Sequence, residues 1–242
     1  MEPPTPTAFH ITHWKAGSQW IRKILNRLEP DRIADEPGVP FLDSLTITPG
    51  HIYTPVYLPR YGFVEAAGTD PSYKCAVFIR DLRDAMVSWY FSMRHSHPLN
   101  PSVVEFREKL NSVSLEDGLL FALEKPVAVM ARCQQTWHEA AADERKIVRY
   151  EDAIADQQAV LGDMLKYLGV GRDDAHRRQA IEAESFERTT GRKPGQEDVG
   201  HHNRKGTSGD WKNHFTDRVT DAFKQHHGQL LITLGYEQDL DW

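Results

Sequence analysis

Several features that would settle this chain's class at once are missing from its sequence. No apolar run approaches the roughly 20 residues a membrane-crossing helix needs, so no spanning segment is expected. Residues 1–7, MEPPTPT, are polar and proline-containing and do not form an apolar leader, so secretion is not expected either. Cysteine is scarce: Cys75 and Cys133 are the only two. Each sits in an apolar, regular-looking stretch. Both read as buried free thiols, which fits a reducing, cytoplasmic setting. Positive charge is not in excess. A formal net charge of -6 gives no overall field to attract nucleic acid, so any polyanion must be gripped by a local basic site. No metal-ligand cluster stands out, and none is expected. His201-His202 and His226-His227 are adjacent pairs, whose side chains point apart on a strand and lie about 100° apart on a helix. They read as solvated. There is no internal repeat and no interdomain linker.

What remains is an ordinary soluble composition: 242 residues, 40% hydrophobic and 26% charged, enough for one α/β domain with a substantial core. Ala8 to Trp14 alternates, with Phe9 and Ile11 on one side and His10 and Thr12 on the other, and reads as a first strand. Ser18 is a candidate N-cap. After it, Trp20, Ile21, Ile24, Leu25 and Leu28 fall at helical spacing. Asp35 to Gly50 carries prolines and glycines and reads as a surface connection. His51 to Tyr57 is a second strand candidate. Tyr73 to Arg80 is β-rich and apolar, as a buried parallel strand is. Met86, Trp89, Tyr90 and Met93 then mark a helix. Pro126 to Ala142 reads as a helix with Pro126 in its first turn. Lys146 to Tyr150 reads as a strand, and Gln157 to Leu168, Asp173 to Glu182 and Asp217 to Leu234 as helices. Thr189 to Gly209 is polar and glycine-containing and reads as a loop or lid. Strands alternating with helices predict a P-loop-like α/β fold, with a central parallel sheet flanked by helices in a single domain over residues 1–242.

Three segments concentrate cations, hydroxyls and glycines. In the first, Lys15, Ala16, Gly17 and Ser18 lie between strand and helix, where exposed N–H groups form an anion nest at a helix N-terminus. The lysine precedes the glycine, so this is not the Walker pattern. Alone, a strand-loop-helix with a lysine is common. In the second, Arg80 ends a buried-looking strand, where open α/β sheets bind ligands. Ser88 lies in the helix that follows. Each has a bland alternative, a solvent-facing serine and an ion pair of Arg80 with Asp81 or Asp84. Together they fit a phosphate held by a guanidinium and a hydroxyl. In the third, Arg204-Lys205-Gly206 sets two cations beside a residue that lets backbone approach a ligand, and Gly209-Asp210-Trp211-Lys212 follows.

Taken in order, these segments resemble the sulfotransferases that use 3′-phosphoadenosine-5′-phosphosulfate (PAPS) as donor. The cytosolic members carry a motif close to Tyr-Pro-Lys-Ser-Gly-Thr-Thr-Trp, here His13-Trp14-Lys15-Ala16-Gly17-Ser18-Gln19-Trp20. They carry Arg-Asp-Pro-Arg-Asp and then Val-Ser, here Arg80-Asp81-Leu82-Arg83-Asp84 and Val87-Ser88. Their Arg-Lys-Gly-x-x-Gly-Asp-Trp-Lys is matched throughout by Arg204 to Lys212. Tyr150-Glu151-Asp152 and Ser185-Phe186 also match. The resemblance implies a sulfotransferase fold and transfer of a sulfuryl group from PAPS to a small-molecule hydroxyl or amine, aromatic or alcoholic, with release of adenosine 3′,5′-bisphosphate (PAP). It implies that Lys15 to Gln19 hold the 5′-phosphosulfate, with Lys15 on the bridging oxygen. Trp20, Tyr150 and Phe186 fall to the adenine, Arg80 and Ser88 to the 3′-phosphate, and Arg204, Lys205 and Gly206 to the loop that closes on it, with 189–209 as the lid over the cofactor.

The departures bear on chemistry. A family serine is Ala16, and a threonine is Gln19. The family's general base is a histidine in a Lys-Thr-His-Leu-Pro-like strand. Tyr53-Thr54-Pro55-Val56-Tyr57 places Pro55 there, and proline accepts no proton. His51, four residues before Pro55, is the leading substitute, since steps of two along a strand keep the same face. His13, His95, Glu65 and Asp70 stay open. Two other functions stay open beside sulfotransfer. One is a PAP-binding protein without activity. The other is a P-loop-like small-molecule kinase, against which the missing Gly-Lys-Ser/Thr argues. Tyr53, Tyr57, Phe63, Trp89, Tyr90 and Phe91 are either acceptor-pocket residues or core.

Overall fold

The computed structural model describes residues 5–34 and 47–242. Most of the Asp35 to Gly50 connection lies outside them. The chain divides into two units, Met1–Ile79 with Arg132–Thr189, and Arg80–Ala131 with Thr190–Trp242.

The first unit holds the sheet. Strands β1 (Ala8–Thr12), β2 (Ile52–Val56), β3 (Lys74–Ile79) and β4 (Arg145–Arg149) pair in the order β2-β1-β3-β4, all parallel. All five residues of β1 are buried, although the sequence alternates. A central parallel strand is covered on both faces, so its polar positions are buried with the rest. Helix α1 (Ser18–Leu28) covers one face and buries Ile21, Ile24, Leu25 and Leu28 against Ala8, Ala76 and Phe78. On the other face Phe9 stacks on Tyr53 at 5.0 Å and meets Phe63 edge-on at 4.9 Å, and Phe63 meets Trp137 at 5.3 Å. Tyr53 and Phe63 are therefore core residues. Phe63 belongs to α2 (Arg60–Ala67).

Pro55 sits inside the terminal strand β2. Phe9 pairs with Tyr53 but Ile11 pairs with Val56, so β2 carries one extra residue there. A bulge in an edge strand is where a residue without an N–H is tolerated.

In the second unit, α3 (Leu82–Phe91) runs into a π-turn at Ser92–Ser96, then α4 (Pro101–Asn111) and α5 (Leu115–Ala122) follow, capped by Asn100 and Ser114. Trp89 and Tyr90 are buried in α3. Pro126 does not open a helix. It lies in a π-turn, Leu123–Val127, that joins α5 to α6 (Ala128–His138). A widened turn absorbs the missing proline N–H.

The remaining helices are α7 (Tyr150–Ala155), α8 (Gln157–Tyr167), α9 (Asp174–Ala183), α10 (Phe186–Thr190) and α11 (Asp217–Thr233). Tyr150 opens α7 and is not the last residue of a strand. Cys75 and Cys133 are free and buried, and burial pushes both thiols up to about 12. No helix among the described residues is long and apolar enough to cross a membrane.

Candidate functional site

In the first unit the site is built at the carboxyl ends of the parallel strands, beside the point where strand order reverses between β1 and β3. β1 stops at Thr12, whose hydroxyl donates to the Phe78 carbonyl at 2.9 Å. The chain then turns through two left-handed residues, Lys15 at φ 67° and Gly17 at φ 92°. Gly17 is free to do this. A Cβ on it would also stand 3.4 Å from the Tyr150 ring. Lys15 has no such freedom, and the left-handed region costs an L-residue about 1–2 kcal/mol. Strain of this kind persists where the surroundings impose it, and it clusters at ligand clamps.

Gly17, not Ser18, caps α1. Ser18 is the first helical residue, and the Gly17 carbonyl takes the Trp20 and Ile21 N–H groups at 2.9 and 3.2 Å. Ala16 is fully buried in the apolar cluster under α1, where a serine hydroxyl would need its own partner. Trp20 meets Phe78 and Tyr150 edge-on, at 6.4 and 6.2 Å. The Trp20 Nε1 donor is buried without a hydrogen-bond partner among the described residues. Tyr57, directly after β2, donates its hydroxyl to Ser18 Oγ at 2.8 Å. Phe186, half-buried, opens α10.

The base candidates fall in different places. The His51 carbonyl accepts the Ala8 N–H at 3.0 Å, so His51 lies at the start of β1. Lys15 follows its other end. A five-residue strand spans roughly 16 Å at about 3.3 Å per residue. His51 is therefore at the wrong end of the sheet to serve the Lys15 loop. His13 is buried and engaged through both ring nitrogens, Nε2 with Gln134 Nε2 at 2.7 Å and Nδ1 with the Trp14 carbonyl at 2.8 Å. Glu65 and Asp70 are exposed, and Asp70 closes a turn on Ser72 at 2.8 Å. Sequence reasoning offered Tyr57 as an acceptor-pocket or core residue and missed its bond to Ser18 in the donor loop. Leu58-Pro59 follows Tyr57 directly and was the available signal, since Leu-Pro follows the histidine in the family motif.

In the second unit Arg80 and Asp84 join the second segment to the basic loop. Arg80 donates to the Thr207 carbonyl at 3.2 Å. The rest of that motif is scaffold. Arg83 pairs with Asp81 at 2.6 Å and Glu237 at 2.5 Å, and its guanidinium lies 4.1 and 4.3 Å from the Trp211 and Trp242 rings. Asp84 is buried and accepts the Gly209 and Trp211 N–H groups at 2.6 and 3.0 Å. Burial raises its carboxyl, with Arg80 pulling the other way. Ser88 is half-buried within α3.

The basic loop is ordered by its own contacts. Arg192 donates to the carbonyls of Gln196, Asn203 and Arg204. Gly195 and Asp198 N–H groups bond the Lys205 and Arg204 carbonyls at 2.8 and 2.9 Å. Gly206 turns at φ 67°. Arg204 pairs with Glu197 and Asp210 and lies 4.6 Å over Phe91. Lys205 reaches Asp210 at 2.5 Å. Burial alone would raise the Asp210 carboxyl. Hydrogen bonds from Lys205, Arg204 and Asn213 outweigh it and hold the group well below the usual carboxylate range. Sequence reasoning read these cations as an open basic site, but two carboxylates from the same loop region offset them. His95 is exposed and stacks on Phe91.

Not every histidine of the adjacent pairs is solvated. His227 packs against Phe223 at 5.6 Å, and burial lowers it to about 4. Among the described residues no group of His, Cys, Asp and Glu could hold a metal ion. An open cleft of about 360 Å³ lined by Arg60, Tyr61, Thr136 and Glu144 shares no lining residue with the Lys15 loop.

A family model described as the sulfotransferase domain matches residues 59–235. Sulfotransferase 1E1 of Cavia porcellus is 27% identical over 171 residues, 65% of this chain and 54% of its own length. The matched segment thus spans about half of that relative. The structure of mouse sulfotransferase SULT7A1 complexed with PAP is similar with a TM-score of 0.66 at 17% identity, over 94% of this chain and 84% of that one. Retinol dehydratase in complex with androsterone and inactive cofactor PAP is similar with a TM-score of 0.61 at 15% identity, over 96% and 82%. At these identities the shared property is the fold, a parallel sheet flanked by helices.

Proposed function

The chain belongs to the sulfotransferase domain family, and from that membership we propose that it transfers the sulfuryl group of PAPS to a hydroxyl or amine and releases PAP. The bond from sulfur to the bridging 5′-phosphate oxygen breaks, a bond from sulfur to the acceptor atom forms, and the acceptor's proton leaves to solvent. Sulfuryl transfer, like phosphoryl transfer, leaves the protein mainly positioning and charge stabilisation to perform.

The observation that carries this function is the left-handed Lys15 at the carboxyl end of a buried parallel strand, followed by Gly17, whose Cβ position faces the Tyr150 and Trp20 rings. The 5′-phosphosulfate is assigned to Lys15, Ala16, Gly17, Ser18 and Gln19, with Lys15 on the bridging oxygen. The adenine is assigned to Trp20, Tyr150 and Phe186, and the unpartnered Trp20 Nε1 supports a polar ligand atom there. The 3′-phosphate is assigned to Arg80, Ser88, Arg204, Lys205 and Gly206. His51 is given no role, because it stands at the far end of β1 from Lys15. The family match runs through both units, which supports one domain over residues 1–242, with residues 189–209 over the cofactor.

The PAP held by both structural neighbours supports PAPS as donor, and the androsterone held by retinol dehydratase supports a small-molecule acceptor. Two buried free thiols support a cytoplasmic setting. A second function, PAP binding without transfer, is favoured by the lack of a histidine in either register of the motif, Pro55 in one and Tyr57 in the other. Calorimetry with PAP and an assay of sulfate transfer to phenols, alcohols and amines separate the two. Binding with transfer to at least one acceptor class is expected. Binding without transfer favours the second function, and no binding at low ionic strength rejects both.

A further inference from the structure

Tyr57 and Ser18 meet at one hydrogen bond that joins the end of β2 to the start of α1. The Tyr57 hydroxyl donates to Ser18 Oγ at 2.8 Å. Ser18 is buried as the first residue of α1, beside backbone N–H groups that a helix leaves without internal partners. A serine hydroxyl carries one proton and accepts through its lone pairs. While the Ser18 oxygen accepts the Tyr57 O–H, the single Ser18 proton is directed to a different acceptor. Two hydroxyls in series also polarise one another, which strengthens the outer donor.

Resting on the sulfotransfer function above, we propose that Tyr57 is a positioning residue of the donor loop. It acts through Ser18, and turns that hydroxyl's proton onto the oxygens of the phosphosulfate that gain charge as the bridging bond breaks. The device needs a neutral phenol. Burial pushes the Tyr57 hydroxyl above its ordinary value, and hydrogen bonds with Ser18 and Gln19 and the charge of Arg22 only partly offset this. The Trp14 ring, 6.5 Å away, packs on its other side. The upward shift favours the neutral phenol that the device uses.

The test is a double-mutant cycle on the full chain, with PAP affinity measured by calorimetry alongside steady-state kinetics. Tyr57→Phe keeps the ring and is expected to lower kcat about three- to tenfold, the weight of one hydrogen bond. The acceptor KM and the shape of the pH–rate profile should not change. Ser18→Ala is expected to lose at least as much. The double variant should then lose less than the two single losses combined, because Tyr57 acts on the donor through that hydroxyl. Losses that add, a Tyr57→Phe enzyme with normal kcat, or the disappearance of a titrating limb in that variant each overturn the proposal while leaving sulfotransfer intact. Failure of the wild-type protein to bind PAP removes the function beneath it. If Tyr57→Phe melts far below wild type, Ser18→Ala and Ser18→Thr carry the test. Activity lost in alanine and recovered in threonine is expected, and equal activity in the two overturns it.

Discussion

Single residues of the Lys15 loop carry the sharpest expectations. Removing one well-placed electrostatic donor typically costs 10²–10³-fold in turnover. Lys15→Ala is therefore expected to lower kcat by about 10²-fold or more while PAP still binds, since PAP lacks the transferring group. Steady-state kinetics beside calorimetry check this, and near-normal turnover removes Lys15 from the mechanism. Gly17→Ala tests the cradle. At φ 92° an alanine is strained, and its methyl would press on the Tyr150 ring at 3.4 Å. Weakened PAP affinity together with a lowered melting temperature is expected. At this scale the motif residues were legible because type and order carried them. Ala16 was legible as a departure, but its cause was not. It faces an apolar cluster made by residues more than a hundred positions away, such as Val148 and Ala153. His51 misled because period two gives a face and says nothing about which end of a strand a residue occupies.

Elements decide whether the cations of the third segment are usable. The Gly209 and Trp211 N–H groups end on the buried Asp84 carboxylate of α3, so the second and third motifs are one built object. Asp84→Ala leaves two amides without their acceptor. At about 1–3 kcal/mol for each orphaned buried group, a loss of roughly 2–6 kcal/mol is expected in denaturant unfolding. Weaker PAP binding should accompany it, because Gly206 and the two cations before it lose their anchor. Asp84→Ala with wild-type stability would mean that Arg80, Arg192 and Asp210 hold the loop without it. The strands of the sheet and most long helices were legible from apolar periodicity. The short or less periodic α2, α4, α5, α7 and α10 were not. Pro126 was read as a helix start because proline favours a first turn. The structure places it in a π-turn, a backbone adjustment that leaves no compositional trace. The basic loop read as an open cationic site, because the pairing of Arg204 with Glu197 and Asp210 depends on turns at Gly206 and Gly209 that periodicity does not encode.

At the scale of the whole molecule, two histidines buried as neutral rings set how the fold responds to acid. His10 is fully buried in β1. Its Nδ1 bonds Thr54 Oγ1 at 2.8 Å, and its Nε2 has no partner among the described residues. A proton added there would be a buried, uncompensated charge, and burial lowers the group from 6.5 to about 3. His227 is lowered to about 4 by burial and by His226. Between the folded values and the unfolded value near 6.5 the unfolded chain binds more protons than the folded one, so stability rises with pH across that window. Read downward, the full contribution is present above about pH 6.5 and is lost progressively toward pH 4. Asp210 has the same sign but acts lower, because its depressed carboxyl stabilises the fold above the unfolded aspartate range near 3.9 and loses this as pH falls further. Loss of stability between pH 6.5 and 4.5 therefore belongs mainly to imidazoles. His10→Asn keeps a polar group near the Nδ1 position and removes the titration. Denaturant midpoints measured from pH 7.5 to 4.5 should fall less steeply for this variant than for wild type, even if it starts from a lower stability at neutral pH. Parallel curves would show that His10 is already neutral-buried in the unfolded ensemble or accessible in the folded one, and the acid response would then have to come from His227 or from carboxylates.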